Sequence, residues 1–335
     1  MAVAPPNDIS GHAPADPLAA GDHPAPDPNA RERPAPRYDR IAVIVNPAAG
    51  QDRPILGILN RAFHAAKVDW DVFVTKKAGD GQRYTRQAIE AGYPAVAVYG
   101  GDGTVGEVTS ALVGTDVPLA IFPGGTANVM SVELGIPGDL EEACALVFNG
   151  AGRLRKIDVG QIGDQVFMLR VGIGFEAEMV EGADREKKDR FGTLAYALSA
   201  LQALREPTMA RYHLTLDGQL RETEGMTCII ANTGSLGRTN LTLASAISVS
   251  DGLLDVIVVR RSDLPSLLSV AASVLTGSGN PAPLQHWQAR EITVQVEPQQ
   301  SVTVDGEMVE VNPISVRVLP QALSVIVPVT ADPVS

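Results

Sequence analysis

Five consecutive residues, Gly100, Gly101, Asp102, Gly103 and Thr104, carry the strongest chemical signal in the chain. Glycines on both sides of a carboxylate let backbone approach a ligand closely, because glycine has no Cβ and tolerates positive φ. Their N–H groups can face an anion. A helix starting directly afterwards adds its free first-turn N–H groups and the positive end of its dipole, which favour phosphate. Asp102 would repel bare phosphate, so its place makes sense if it holds Mg²⁺, a metal-bound water or a donor group of a nucleotide. The same pentapeptide also suits a tight turn with Asp102 as the N-cap of the next helix. Much later, Asp305 and Glu307 flank Gly306. Two carboxylates separated by glycine could project to one side of a tight turn, which makes them candidates for chemistry. Asp-Gly is equally a common type I′ hairpin turn.

The elements that must position these groups are legible around them. Residues 41–45 form a continuous apolar run of the kind found in strands covered on both faces. Asn46, Pro47 and Gly50 break it, and Pro54 suits the first turn of a helix to about Lys67. Residues 70–75, 95–99 and 119–122 read as further strands, with a helix from Asp80, as its cap, to about Ala91. Strand and helix alternate at βαβ spacing, which predicts a parallel sheet with helices on both faces. Ligands of such sheets sit at the carboxyl ends of the strands. Loop-forming residues stand at three of those ends, at 46–50, 100–104 and 123–128.

Asp139 to Glu142 resembles a capping box for a helix ending near Asn149 and Gly150. Beyond it the pattern changes to short strand-like runs at 154–159, 166–171, 212–216, 227–231, 253–259, 292–296, 301–304 and 314–319. These predict an antiparallel sandwich or barrel, interrupted by helices at 188–204 and 265–275. A last apolar run at 323–327 either completes that unit or returns to the first. The expected organisation is a disordered tail at 1–38, an α/β nucleotide domain at 39–152 and a β-rich domain at 153–319, with 320–330 open between the two.

The totals restrict the function classes. A net charge of −12 over 335 residues argues against nucleic acid as the main partner, since phosphate contacts need clustered Lys and Arg. The tail holds 9 of the 24 prolines and no periodic apolar pattern. Cys144 and Cys228 lie far apart in apolar contexts and read as buried hydrophobes. The five histidines show no ligand spacing. The longest apolar stretch, 264–275, is short of the roughly 20 residues a membrane span needs. No secretory signal pattern opens the chain, so the cytoplasm is the expected location.

Taken together and in order, IAVIVNPAAG at 41–50, GGDGTVGEV at 100–108, PGGTANV at 123–129, DGLLDV at 251–256 and VDGE at 304–307 resemble the diacylglycerol kinase catalytic family. That family includes bacterial lipid kinases and sphingosine kinases. The resemblance runs over about residues 40–328. It implies a nucleotide domain like those of phosphofructokinase and NAD kinase, then a β-rich domain, with the active site between them and the final strand packed back on the first. It implies ATP contacts at Asn46, Pro47, Ala48, Ala49, Gly50, Thr75, Gly100, Gly101, Asp102, Gly103, Thr104, Val105, Gly106, Glu107, Gly125 and Thr126. It also implies Glu307 as the base, supported by Asp305, and a structural Mg²⁺ at Asp251, Leu253 and the carbonyl of Ser248.

The sequence departs from the family at several points. Gly106 replaces a usual asparagine, Val129 an acid and Glu176 an aspartate, and no proline-x-alanine precedes Asp251. No P-loop lysine is present, so charge neutralisation falls to Mg²⁺, backbone N–H groups and Lys76 or Lys77, which otherwise read as exposed loop residues. At 185–204, Lys187, Lys188 and Arg190 precede Phe191, Leu194, Leu198 and Leu201. That pattern suits a helix lying on a membrane surface or an ordinary domain helix. The expected activity is phosphoryl transfer from ATP to a lipid alcohol, with peripheral contact at the inner membrane face and room for a homodimer. The rival readings are an NAD kinase-like enzyme with a soluble acceptor and a non-catalytic nucleotide or lipid sensor.

Overall fold

A computed structural model describes residues 33–50, 54–148, 151–174, 209–235, 247–260, 284–311 and 313–329. The expected helices at 188–204 and 265–275, the surface-helix reading of 185–204, Glu176 and most of the tail lie outside the described residues.

The first half contains β1 (Arg33–Pro34), β2 (Arg40–Val45), α1 (Ile55–Ala66), β3 (Asp69–Val74), α2 (Asp80–Glu90), β4 (Val96–Gly100), α3 (Asp102–Leu112), β5 (Leu119–Pro123), α4 (Val129–Glu133) and α5 (Leu140–Phe148). Strands β3, β2, β4 and β5 lie side by side in that order, all parallel. Every residue of β4 and β5 is buried, as the uninterrupted apolar runs require. Helix α1 packs with α5, where Phe63 meets Phe148 edge to face, and α2 packs with α3. Right-handed crossovers put these two pairs on opposite faces of the sheet. The Asp139 cap is present: its Oδ1 accepts the Glu142 N–H at 3.1 Å.

The second half contains β6 (Gly152–Ile162), β7 (Gln165–Phe167), β8 (Arg170–Gly174), β9 (Ala210–Leu216), β10 (Gln219–Gly225), β11 (Thr227–Ala231), β12 (Leu254–Val259), β13 (Gln285–Ala289), β14 (Glu291–Glu297), β15 (Val302–Val304), β16 (Glu307–Val309) and β17 (Ile314–Pro328). One antiparallel sheet runs β13-β12-β11-β8-β15-β16. It shares a core with the antiparallel part of the larger sheet, through Tyr212, Ile230, Val256, Ile292 and Val316. The fold is thus a parallel α/β unit followed by an antiparallel β-sandwich.

The two expected runs at 314–319 and 323–327 are one strand. Its first part pairs with β14, and near its end Val325 pairs in parallel with Leu119 of β5, so β17 belongs to both halves. The register shifts between Leu319 and Leu323, where Gln321 takes φ 51°. A bulge bends a strand and increases its twist. Buried Asp158 holds this one, its Oδ1 accepting the Gln321 N–H at 2.8 Å. At the other end of the chain, Arg33 and Pro34 pair with β6 and Tyr38 is buried, so the last residues of the expected tail join the fold. Among the described residues, no helix is long and apolar enough to cross a membrane.

Candidate active site

Three loops meet at the carboxyl ends of β2, β4 and β5. After β2, Asn46 accepts the Ala48 N–H at 3.0 Å and donates its amide to Thr104 Oγ1 at 2.9 Å, tying the first loop to the second. Gly50 has φ 84°, and a Cβ there would sit 2.6 Å from the Gly124 carbonyl oxygen. A Cβ on Gly125 would fall 2.6 Å from Gly101 Cα, so these two loops touch backbone to backbone. Asn128, at φ 46°, clamps Gly125 by accepting its N–H at 2.8 Å and donating to its carbonyl at 2.7 Å. Pro47, Ala48, Gly103 and Thr126 are exposed along this edge. A Cβ on Gly103 or Gly106 would meet no protein atom within 4 Å, which leaves space for a ligand. Val105 is buried in the core, and the Thr75 hydroxyl turns back to the Val45 carbonyl at 3.4 Å.

The acids of this half are already engaged. Gly101, not Asp102, is the N-cap of α3. Asp102 instead accepts the Met130 N–H at 3.3 Å, at the start of α4. Burial pushes its pKa up, opposed by the Val129 and Met130 N–H groups and by the charge of Arg170. Glu107 accepts N–H groups from Gly79 and Gly81, both at 2.8 Å. Asp80 does not cap α2 either: its carboxylate accepts the Lys76 and Lys77 N–H groups and pairs with Arg83 at 2.7 Å. The Lys76 and Lys77 side chains are exposed.

In the second half, Asp305 and Gly306 have φ 48° and 84° and turn β15 into β16, so the hairpin reading of Asp-Gly holds. The Asp305 carboxylate accepts N–H groups from Met168, Leu169 and Arg170, each at 2.9 Å. These bonds split the expected strand at 166–171 into β7 and β8. Burial raises the Asp305 pKa, while the three N–H groups and Arg170 favour its charged form. Arg170 therefore acts on both Asp102 and Asp305. Glu307, the first residue of β16, is exposed.

The 248–253 turn lies elsewhere in the second half. Asp251 Oδ1 accepts the Leu253 N–H at 3.0 Å. Burial, with Asp255 and Asp158 nearby, pushes the Asp251 carboxyl up to about 6. Asp158 Oδ2 accepts the Gly252 N–H at 2.6 Å. No cluster of three or more His, Cys, Asp or Glu side chains in the described residues is arranged to hold a metal, so a cation at this turn would depend on carbonyl oxygens as well.

Residues 40–162 match the diacylglycerol kinase catalytic domain, and 170–327 match the YegS C-terminal NAD kinase beta sandwich-like domain. The chain is 31% identical over 262 residues to the "Probable lipid kinase YegS-like" of Pseudomonas putida, covering 77% of this chain and 85% of that protein. The chain belongs to the diacylglycerol kinase catalytic family of bacterial lipid kinases. The Bacillus subtilis protein named diacylglycerol kinase is 29% identical over 274 residues, covering 80% of this chain and 89% of that one. An uncharacterized Synechocystis protein is 35% identical over 268 residues, 77% of this chain, which spans 61% of that relative. A crystal structure of a diacylglycerol kinase from Bacillus anthracis superposes with a TM-score of 0.73 at 28% identity, covering 88% of this chain and 99% of that one.

In this family member, the sequence alone gave little sign of Arg170, Asn128, Met168 and Asp158. Arg170 had one local signal, a lone cation inside an apolar β-branched run. Asn128 had another, because asparagine tolerates the left-handed region. Met168 had none, since its amide and its sulfur, which takes the Thr109 hydroxyl, find distant partners.

Proposed function

We propose that this family member uses ATP to phosphorylate a hydroxyl group of a diacylglycerol- or sphingosine-like lipid. The observation that carries this reading is the contact path from the Asp305 turn, through Met168, to Thr109 of the helix that starts at Asp102, which supports the Glu307 hairpin acting together with the glycine-rich loop. The acceptor class is supported by the names of the Bacillus subtilis and Pseudomonas putida relatives.

The nucleotide lies along the edge formed by Asn46 to Gly50, Thr75, Gly100 to Gly106, Gly125 and Thr126. The open faces of Gly103 and Gly106 fit it. Bound Mg²⁺ supplies charge neutralisation on the phosphates. Asp102 would hold it, and a structural Mg²⁺ would take the Asp251 carboxylate with the Ser248 and Leu253 carbonyls. Glu307 takes the proton of the lipid hydroxyl as its oxygen bonds to the γ-phosphorus and the bond to the β,γ-bridging oxygen breaks, releasing ADP. Asp305 holds the hairpin that presents Glu307. The acceptor places the enzyme peripherally on the cytoplasmic membrane face.

The deciding experiment is transfer of labelled phosphate from ATP to diacylglycerol, sphingosine and other lipid alcohols in mixed micelles, with NAD as the soluble acceptor. Labelling of a lipid by the native protein is expected, with loss in Glu307→Gln while nucleotide binding persists. Labelling of NAD alone would overturn the lipid reading, and unchanged turnover in the variant would remove Glu307 as the base.

A further inference from the structure

The β3–α2 turn carries Thr75, Lys76 and Lys77 at the same edge of the sheet as the Asn46 loop, since the Thr75 N–H donates to Val45 at 2.9 Å. Two carboxylates from outside the turn's own backbone shape it. Asp80 gathers the Lys76 and Lys77 N–H groups at 2.9 and 3.2 Å. Glu107, from the middle of α3, reaches across to Gly79 and Gly81, the N-cap and second residue of α2, with one oxygen on each N–H. The first N–H groups of a helix have no partner within it, and an anion there also meets the positive end of the helix dipole. Glu107 is therefore the resident anion at the start of α2. Position 81 is matched to it, because a Cβ there would lie 2.7 Å from Glu107 Oε2.

We infer that Glu107 is a positioning residue: it couples the Thr75–Lys77 turn to α3, the helix that begins at the phosphate loop, and it does not itself contact nucleotide or metal. Its kinetic consequence rests on the ATP-dependent kinase reading; its structural consequence does not. With both oxygens on backbone N–H groups, Glu107 is committed to α2, while the exposed Lys76 and Lys77 side chains remain on a turn held at fixed distance from Gly101 to Thr104.

The test uses the full chain and the variants Glu107→Ala, Glu107→Gln, Gly81→Ala and the double variant Gly81→Ala/Glu107→Ala. Amide exchange over residues 75–84 should speed up about tenfold in Glu107→Ala. The KM for ATP should rise about tenfold while kcat stays within about twofold, and Glu107→Gln, which keeps one acceptor oxygen, should recover part of both. Gly81→Ala should lower Tm by about 3 °C in the native background and by clearly less when Glu107 is already alanine, because the 2.7 Å contact with Oε2 is then gone and only the Cβ contact at 3.0 Å remains. Unchanged exchange in Glu107→Ala, loss of kcat at constant KM, or an equal cost of Gly81→Ala in both backgrounds would overturn the assignment. If the native protein labels no lipid, the kinase reading fails, and the exchange data and the double variant still decide the role of Glu107.

Discussion

Asp305 and Met168 stand 137 residues apart in the chain, yet the Asp305 carboxylate accepts the Met168 N–H at 2.9 Å. The Met168 sulfur receives the hydroxyl of Thr109, which belongs to the helix that starts at Asp102. One short path of contacts thus joins the turn before Glu307 to the helix of the glycine-rich loop.

That path separates the roles of the two hairpin acids. Asp305→Asn leaves one oxygen to serve three N–H groups, and hydrogen bonds to a charged group are worth about 1.5–3 kcal/mol each. Denaturant unfolding should show a loss of about that size, with lower activity. Glu307→Gln removes an exposed group and should leave stability within about 0.5 kcal/mol, while turnover falls about 10²- to 10⁴-fold. Equal destabilisation by both variants would erase the distinction.

Gly103 and Gly125 make a second pair. A methyl at Gly125 meets Gly101 backbone at 2.6 Å, and such overpacking costs about 1–3 kcal/mol. A methyl at Gly103 meets no protein atom, and replacing a helical glycine by alanine gains about 0.5–1 kcal/mol. Melting and ATP-binding titrations should show Gly125→Ala weakening both properties. Gly103→Ala should melt higher while binding ATP less well. Undiminished binding in Gly103→Ala would move the phosphates away from that face.

Asp80 sets an acid-side dependence of stability. Arg83 beside it, followed by the Lys76 N–H, holds its carboxyl down from the ordinary 3.8 to about 2. A depressed carboxylate stabilises the fold above its ordinary value, and that stabilisation disappears as pH falls toward the folded value. The gap in melting temperature between native protein and Asp80→Asn should be full above about pH 4 and close as pH approaches about 2. A gap that stays constant across this window would contradict the Arg83 and backbone contacts as its source.

Asp251→Asn tests the proposed Mg²⁺ at the 248–253 turn. Its carboxylate is desolvated and faces the charges of Asp255 and Asp158, a strain that a bound cation relieves. Thermal melts near pH 8 should show Mg²⁺ raising the melting temperature of the native protein more than that of Asp251→Asn. Equal shifts would place the stabilising cation elsewhere.

The strands buried on both faces were all legible along the chain, and of the edge strands β3 was legible as well. Strands β4 and β5 needed unbroken apolar runs, and the sequence has them. The unread strands β10, β13 and β16 are all at the ends of their sheets. An edge strand is paired on one side only and buries less, so polar stretches such as Gln219–Gly225 carry little periodic signal.

The sequence by itself determined the βαβ alternation of the first half, the glycine-rich loops at its strand ends and the family to which they belong. Local chemistry suffices for these, because backbone freedom, capping and continuous burial act over a few residues. Only the tertiary structure decided what each acid holds: Asp102 meets Met130, Glu107 meets Gly79 and Gly81, and Asp305 meets residues 168–170. A carboxylate has the same charge in every sequence context. Whether it serves a ligand or a backbone N–H depends on which donors the fold brings to it once water is excluded, because a buried charge without such a partner is costly.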